Sequence, residues 1–169
     1  MEVYFGDEAG FEGDPRPRQR WVKRGSRPTQ GYYGGHVRRN VIGAVNPASG
    51  RLISLIVPHC DTAMFQAFLD TFAKEHPAVE GKRVCLVLDN ASWHRTQRLE
   101  WHHIQKVFLP PYSPDMNPIE RLWQYLKGHG MAGYFTGDGE ALSDQLCQCI
   151  QELLDQPQLI QSVCSIPRL

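Results

Sequence analysis

Between Arg16 and Arg39 this 169-residue chain has no acidic residue. The same stretch holds eight bases: Arg16, Arg18, Arg20, Lys23, Arg24, Arg27, Arg38 and Arg39. All eighteen acids lie elsewhere with only ten bases, so a formal net charge of zero hides a strongly divided chain. A block of positive charge beside Trp21, Tyr32 and Tyr33 suits a phosphate backbone; a solvated loop is the other reading of such a run. Long apolar runs are also missing. None approaches the ~20 residues of a membrane-spanning helix. The acids Glu2, Asp7 and Glu8 deny the N-terminus the character of a signal peptide. The five cysteines, Cys60, Cys85, Cys147, Cys149 and Cys164, are odd in number and contain no C-x-x-C pair. That speaks against a disulfide framework and for reduced thiols in a cytoplasmic protein. There are no internal repeats and no linker between two cores, so the chain reads as one domain with no membrane partner.

What is present has a clear order. "EVYFGD" (2–7) reads as a strand ending in an acid. "VIGAV" (41–45) and "RLISLIVP" (51–58) form a hairpin about the turn "NPASG", with a basic insertion over 12–39 before it. Phe65, Phe68, Leu69 and Phe72 recur at helical spacing, which predicts a helix over 62–75 with Asp61 as its N-cap and Pro77 at its end. "RVCLVLDN" (83–90) is a strand buried on both faces. A short helical or irregular stretch is expected over 95–102, then a strand over 104–110. Ile119, Leu122, Trp123 and Leu126 stripe one side of a helix after Asn117. A C-terminal helical segment, 129–169, contains a helix at about 140–155 with Leu142, Leu146, Ile150 and Leu153 inward. Right-handed crossovers then give an α/β fold: a mixed five-stranded sheet, antiparallel through strands 1–3 and parallel at 4 and 5, with helices on both faces. Strands 1 and 4 become neighbours, and their carboxyl ends flank the switch point where open α/β sheets place ligands.

Asp7 closes the first strand and Asp89 the fourth. Each has a plain alternative, as an exit into a loop and as a turn starter. Glu120 follows "LPPYSPDMNPIE", in which Pro110, Pro111 and Pro114 restrict the backbone just ahead of it. With Asn117 as N-cap and Pro118 at the first helical position, Glu120 completes a capping box. It also stands at the rim of the buried stripe, where it can reach a cleft. Three carboxylates gathered there would repel one another unless a cation held them. Oxygen donors favour Mg2+ or Mn2+, and two such ions ~4 Å apart can drive phosphodiester chemistry. Asn90 and His94 are neighbours of this group. His94 reads either as a cap of local backbone or as a contact to DNA or to a catalytic aspartate. His94, His102 and His103 do not have the spacing of a zinc site.

"DEAGF" (7–11), "LVLDNASWH" (86–94) and "LPPYSPDMNPIERLWQYLK" (109–127) resemble the catalytic domain of bacterial insertion-sequence transposases of the mariner-like DDE superfamily. The resemblance runs from residue 3 to 127. It implies an RNase H-like fold, an Asp7, Asp89 and Glu120 triad, two Mg2+ or Mn2+ ions, and hydrolysis and strand transfer at DNA ends. It implies transposon-end and target DNA as partners, a homodimer on that DNA, and a nucleoid-associated location. The "W…G…P" pattern about Trp21 and "KRGSRP" is similar to the family's insertion after its first strand. The family's helix-turn-helix region is not found before the first strand, so such a partner region is expected to be encoded upstream. Two rival readings stay open: a stand-alone RNase H-like nuclease, and a non-catalytic remnant that binds DNA or a full-length transposase.

Overall fold

The computed structural model describes residues 1–14, 21–27, 29, 34–111 and 113–165. Five strands form one sheet in the order β3-β2-β1-β4-β5. They are β1 (Glu2–Glu12), β2 (Arg38–Asn46), β3 (Arg51–Val57), β4 (Val84–Leu88) and β5 (Gln105–Phe108). β1, β2 and β3 are antiparallel neighbours, and β1, β4 and β5 run parallel. The expected mixed sheet with strands 1 and 4 adjacent is therefore the one observed.

The helices are α1 (Thr62–Glu75), α2 (Pro118–Gly128), α3 (Gly139–Leu154) and α4 (Pro157–Val163). Side chains alternate across a strand, and the two inner strands divide their apolar residues accordingly. Tyr4, Ile42 and Ala44 join Phe65, Phe68, Leu69 and Phe72 of α1 on one face. Ala9, Phe11, Val41 and Val45 join α2, α3 and α4 on the other. Each fully buried aromatic or leucine contributes roughly 1.5–3 kcal/mol, so the sheet is held between two apolar layers. Asp61 caps α1 by accepting from the Met64 N–H at 2.8 Å. Asp138 caps α3 by accepting from the N–H groups of Glu140 and Ala141.

Two expectations are corrected, and one open alternative is resolved. β1 does not end at Asp7; it continues to Glu12 because β2 supplies ladder partners as far as Glu12↔Arg38. Asp7 is thus a mid-strand residue, opposite Gly43. The stretch 95–102, expected as short helical or irregular, is irregular. Only a single 3-10 turn, Ser92–His94, precedes it, since its apolar side chains Leu99 and Trp101 lack helical spacing. α4 was not anticipated: a seven-residue helix with one buried residue, Ile160, offers no period to read. Arg121 closes its far end by donating to the carbonyls of Val163, Cys164 and Ser165.

Candidate active site

The parallel pairing of β1 with β4 runs from Glu2↔Val84 to Phe5↔Val87 and stops. Asp7 and Asp89 each lie two residues beyond that last pair. β1 continues against β2 while β4 ends, so a cleft opens between them. Asp7 shares its face with Phe5, Ala9 and Phe11, which pack toward α2. Gly43, opposite Asp7, makes room for the Trp123 indole: a Cβ there would lie 2.7 Å from its ring. α2 is thereby drawn onto the sheet beside Asp7, with Glu120 one turn before Trp123.

The capping box expected at Asn117 is absent, because the Asn117 side chain makes no cap hydrogen bond. Its amide donates instead to the Gly6 carbonyl at 3.0 Å. Asn117 is 2% exposed, and this buried bond ties the start of α2 to the residue before Asp7. Glu120 is released from the helix end and borders the cleft.

Asp89 sits just past β4. Its Oδ1 accepts from the Ala91 N–H at 3.0 Å and lies 2.8 Å from His94 Nδ1. The latter is an ion-pair approach rather than a formed hydrogen bond, since Nδ1 has no hydrogen-bond partner. The His94 side chain is fully buried against Phe65, ring centroids 4.4 Å apart. Its Nε2 is 2.7 Å from Glu8 Oε1, which also accepts from the Trp93 indole N–H at 3.3 Å. Asn90 donates its side-chain N–H to the Leu109 carbonyl, tying the exits of β4 and β5.

Two cavities flank Glu120. One, of about 430 Å³, is lined by Asp89, Asn90, Pro110, Pro111, Asn117 and Glu120. The other, of about 400 Å³, includes Asp7, Glu8, Gly10, Glu120, Gln124 and Lys127. Burial, then Glu8, then Glu120 and Asp89 push the Asp7 carboxyl up to about 7, against the Glu8 N–H that lowers it. Burial, Asp115 and Asp89 raise Glu120 above the ordinary glutamate value. Burial alone would lower the pKa of His94, but Glu8 and Asp89 outweigh it and hold it above its usual value.

The structure thus brings Asp7, Asp89, Glu120, Asn90 and His94 to one region. The basic residues are dispersed. Arg16, Arg18, Arg20, Tyr32 and Tyr33 lie outside the described residues. Lys23, Arg24 and Arg27 are exposed. Arg38 is exposed too; its guanidinium lies over Gly10 and donates to Asn40 at 3.2 Å. Arg39 is turned inward, donating to Ser143 of α3 at 3.0 Å. His102 and His103 go to Asp70 and to the His76 carbonyl, away from His94. Sequence reasoning missed Glu8 and the true role of Asn117. Strand alternation was the available signal for Glu8: it must face opposite to Asp7, toward α1 and His94.

A divalent cation suits this donor set in kind. The acids are hard oxygen donors, and their mutual repulsion is visible in the raised Asp7 and Glu120. As arranged, no three His, Cys, Asp or Glu side chains among the described residues close on a point that could hold an ion.

The model of one family, the DDE superfamily endonuclease, matches residues 2–143. The uncharacterized protein y4pE/y4sA of Sinorhizobium fredii is 33% identical over 124 residues, which are 73% of this chain and 90% of that protein. The insertion element IS630 uncharacterized 39 kDa protein of Shigella sonnei is 24% identical over 129 residues, 73% of this chain but 37% of its own length. The mariner Mos1 paired end complex with Mg superposes with a TM-score of 0.66 at 18% identity, covering 99% of this chain and 57% of that one. The corresponding complex with Mn gives 0.63 at 17% identity, with 99% and 57% covered. The fold is RNase H-like, and this chain spans little more than half of the Mos1 chains and about a third of the IS630 protein.

Proposed function

This chain belongs to the DDE superfamily endonuclease family, and from that premise we propose that it is a transposase catalytic core of the IS630 and mariner-like group that catalyses metal-dependent cleavage and joining of DNA in cut-and-paste transposition. The observation that carries the reading is the gathering of Asp7, Asp89 and Glu120 about two cavities that share Glu120. No fold argument requires three acids there. Asp7, Asp89 and Glu120 would hold two Mg2+ or Mn2+ ions. Bound there, the ions lower the cost of forming the attacking hydroxyl and of releasing the departing oxygen of a phosphodiester.

The chain's own groups do the rest. Asp7 must lose its proton to serve as a ligand, and with a pKa of about 7 it is poised between the two states near neutrality. Pro110 and Pro111 wall the cavity beside Asp89 and restrict the backbone that delivers α2. Asn117 fixes the start of α2 to β1, and so the position from which Glu120 projects. Lys23, Arg24, Arg27 and Arg38, with Arg16, Arg18 and Arg20, supply positive charge for the phosphates of transposon-end and target DNA. Water attacks first, at the element end; the freed 3′-hydroxyl then attacks target DNA. The DNA-bound form is a homodimer, and selection of transposon ends falls to a helix-turn-helix region. The described chain forms one catalytic domain in the cytoplasm, at the nucleoid.

The rival reading is a non-catalytic remnant that binds DNA or a full-length transposase. A nicking assay on element-end DNA with Mg2+ or Mn2+, in the assembly that includes the end-binding region, decides between them. Cleavage that is lost in Asp7→Asn, Asp89→Asn and Glu120→Gln supports the catalytic reading. Binding without cleavage in any divalent metal supports the remnant.

A further inference from the structure

Asp89 presents a mechanical problem. Its side chain is 52% exposed, it follows the last residue of β4, and the ladder to β1 has already ended at Phe5↔Val87. No backbone pairing with β1 fixes how far Asp89 stands from Asp7. A pair of metal ions tolerates little misplacement of its ligands, so something other than the sheet must set that spacing.

We infer that His94 and Glu8 together form a positioning bridge that holds Asp89 in register with Asp7 across the parting strands, an inference that rests on the metal-site reading above. The geometry has three parts. Glu8 is the residue after Asp7, and strand alternation turns it to the α1 face, where 11% of its side chain is exposed. His94 takes Glu8 on Nε2 at 2.7 Å and presents Nδ1 to Asp89 at 2.8 Å. The ring is itself immobilised. It has no exposed surface, it packs on Phe65 of α1, and Trp93 holds the same Glu8 oxygen from the side. A movement of Asp89 relative to β1 therefore has to move a fully buried ring or break its contact.

The approach of Nδ1 to Asp89 is short but is not a formed hydrogen bond, which leaves Nδ1 among the five buried side-chain polar atoms of the described residues that have no hydrogen-bond partner. A buried donor left unsatisfied is costly. A small rotation of the Asp89 carboxylate completes the bond, and the same rotation leaves its second oxygen for a ligand in the cleft. Carboxylates that hold metals are themselves commonly held in this way by a second layer of side chains, whose loss weakens metal binding 10–100-fold. His94 touches neither DNA nor metal in this scheme; it acts through Asp89. Glu8 acts one step further back, as the anchor of the ring.

Charge and position make opposite predictions, so the idea can be tested in the full-length chain by calorimetric titration with Mn2+ alone. His94→Phe keeps a ring against Phe65 and removes both polar contacts. Removing a neutral or positive group from an acidic cleft should, by charge alone, leave Mn2+ binding unchanged or tighten it. The bridge predicts instead a weakening of about 10–100-fold. An affinity for Mn2+ equal to or above the parent's overturns the inference. Asp89→Asn serves as the control for the underlying reading. If it binds Mn2+ like the parent, the metal site is wrong; if it loses binding while His94→Phe does not, only the bridge is wrong. Should His94→Phe fail to fold, the parent chain still decides, through the ring nitrogens of His94 in a nitrogen-15 spectrum during Mg2+ addition. The bridge requires the Nδ1 signal to move as Asp89 engages while the Nε2 signal, bound to Glu8, stays. An Nδ1 signal that stays fixed while Mg2+ saturates the site overturns it.

Discussion

Replacement of Asp7 by asparagine should make the metal-free protein more stable, and only above acid pH. The Asp7 carboxyl is raised from the ordinary 3.8 to about 7, by burial first and then by Glu8, with smaller effects of Glu120 and Asp89. An acid with a higher pKa in the folded state binds its proton more tightly when folded. Its contribution is therefore favourable relative to the ionised state below about pH 4, falls as the pH rises toward 7, and is level beyond. At about 1.4 kcal/mol per pH unit, the span from 3.8 to about 7 corresponds to a loss of ~4 kcal/mol at pH 8. Asparagine has nearly the shape of the protonated acid and no proton to lose. Asp7→Asn should match the parent at pH 4 and exceed it by ~4 kcal/mol at pH 8, or ~10 °C in melting temperature for a chain of this size. Thermal denaturation followed by circular dichroism in EDTA, at steps from pH 4 to 8, measures this. The difference between the two proteins removes groups common to both, including His94, whose raised pKa also costs stability as the pH rises. Mg2+ added at pH 8 should then narrow the gap, by stabilising the parent alone. Parent and variant curves that stay parallel within ~0.5 kcal/mol over the whole range would refute the placement of Asp7 in a buried acidic cluster.

Other substitutions separate roles that the sequence ran together. Glu120→Gln should change stability in EDTA by less than ~0.5 kcal/mol, or raise it, because no capping bond is lost and repulsion from Asp115 and Asp89 is relieved; its Mn2+ affinity by calorimetry should fall. Asn117→Ala should cost ~1–3 kcal/mol in urea unfolding, since the buried Gly6 carbonyl loses its donor. Arg38→Ala should lower the slope of DNA affinity against salt by about one, as one phosphate contact disappears. Arg39→Ala should leave that slope unchanged and instead lower stability by ~1 kcal/mol, because Arg39 is spent on Ser143 of α3; filter binding at several salt concentrations checks both.

The sequence alone determined the order of the five strands and of α1 to α3, and it did so because periodicity is a local property. The run Phe65, Phe68, Leu69 and Phe72 could only be one face of a helix, and α1 spans Thr62–Glu75 with Asp61 at its cap. The continuous apolar run through Cys85 and Leu86 is short, which favours a strand covered on both faces, and β4 is buried throughout. Order of elements with right-handed crossovers then placed β1 against β4, and with them the region where Asp7 and Asp89 stand. Asp7, Asp89 and Glu120 each stand next to a strong local signal, and the structure places them about two cavities that share Glu120.

Tertiary structure decided what those local signals could not carry. Asn117 has the sequence of a helix cap, and only the nearness of the Gly6 carbonyl, far away in the chain, shows that its side chain is used elsewhere. Arg38 and Arg39 are adjacent bases in one run, yet strand alternation sends one over Gly10 beside the cleft and the other inward to α3. β1 outlasts Asp7 because β2 offers ladder partners that β4 does not. Glu8 and His94 meet only because the chain returns from α1 through β4 to the same edge of β1. The physical reason is common to all four. Periodicity tells which way a side chain faces on its own element, whereas the partner it finds depends on a second element whose distance along the sequence leaves no trace in local pattern.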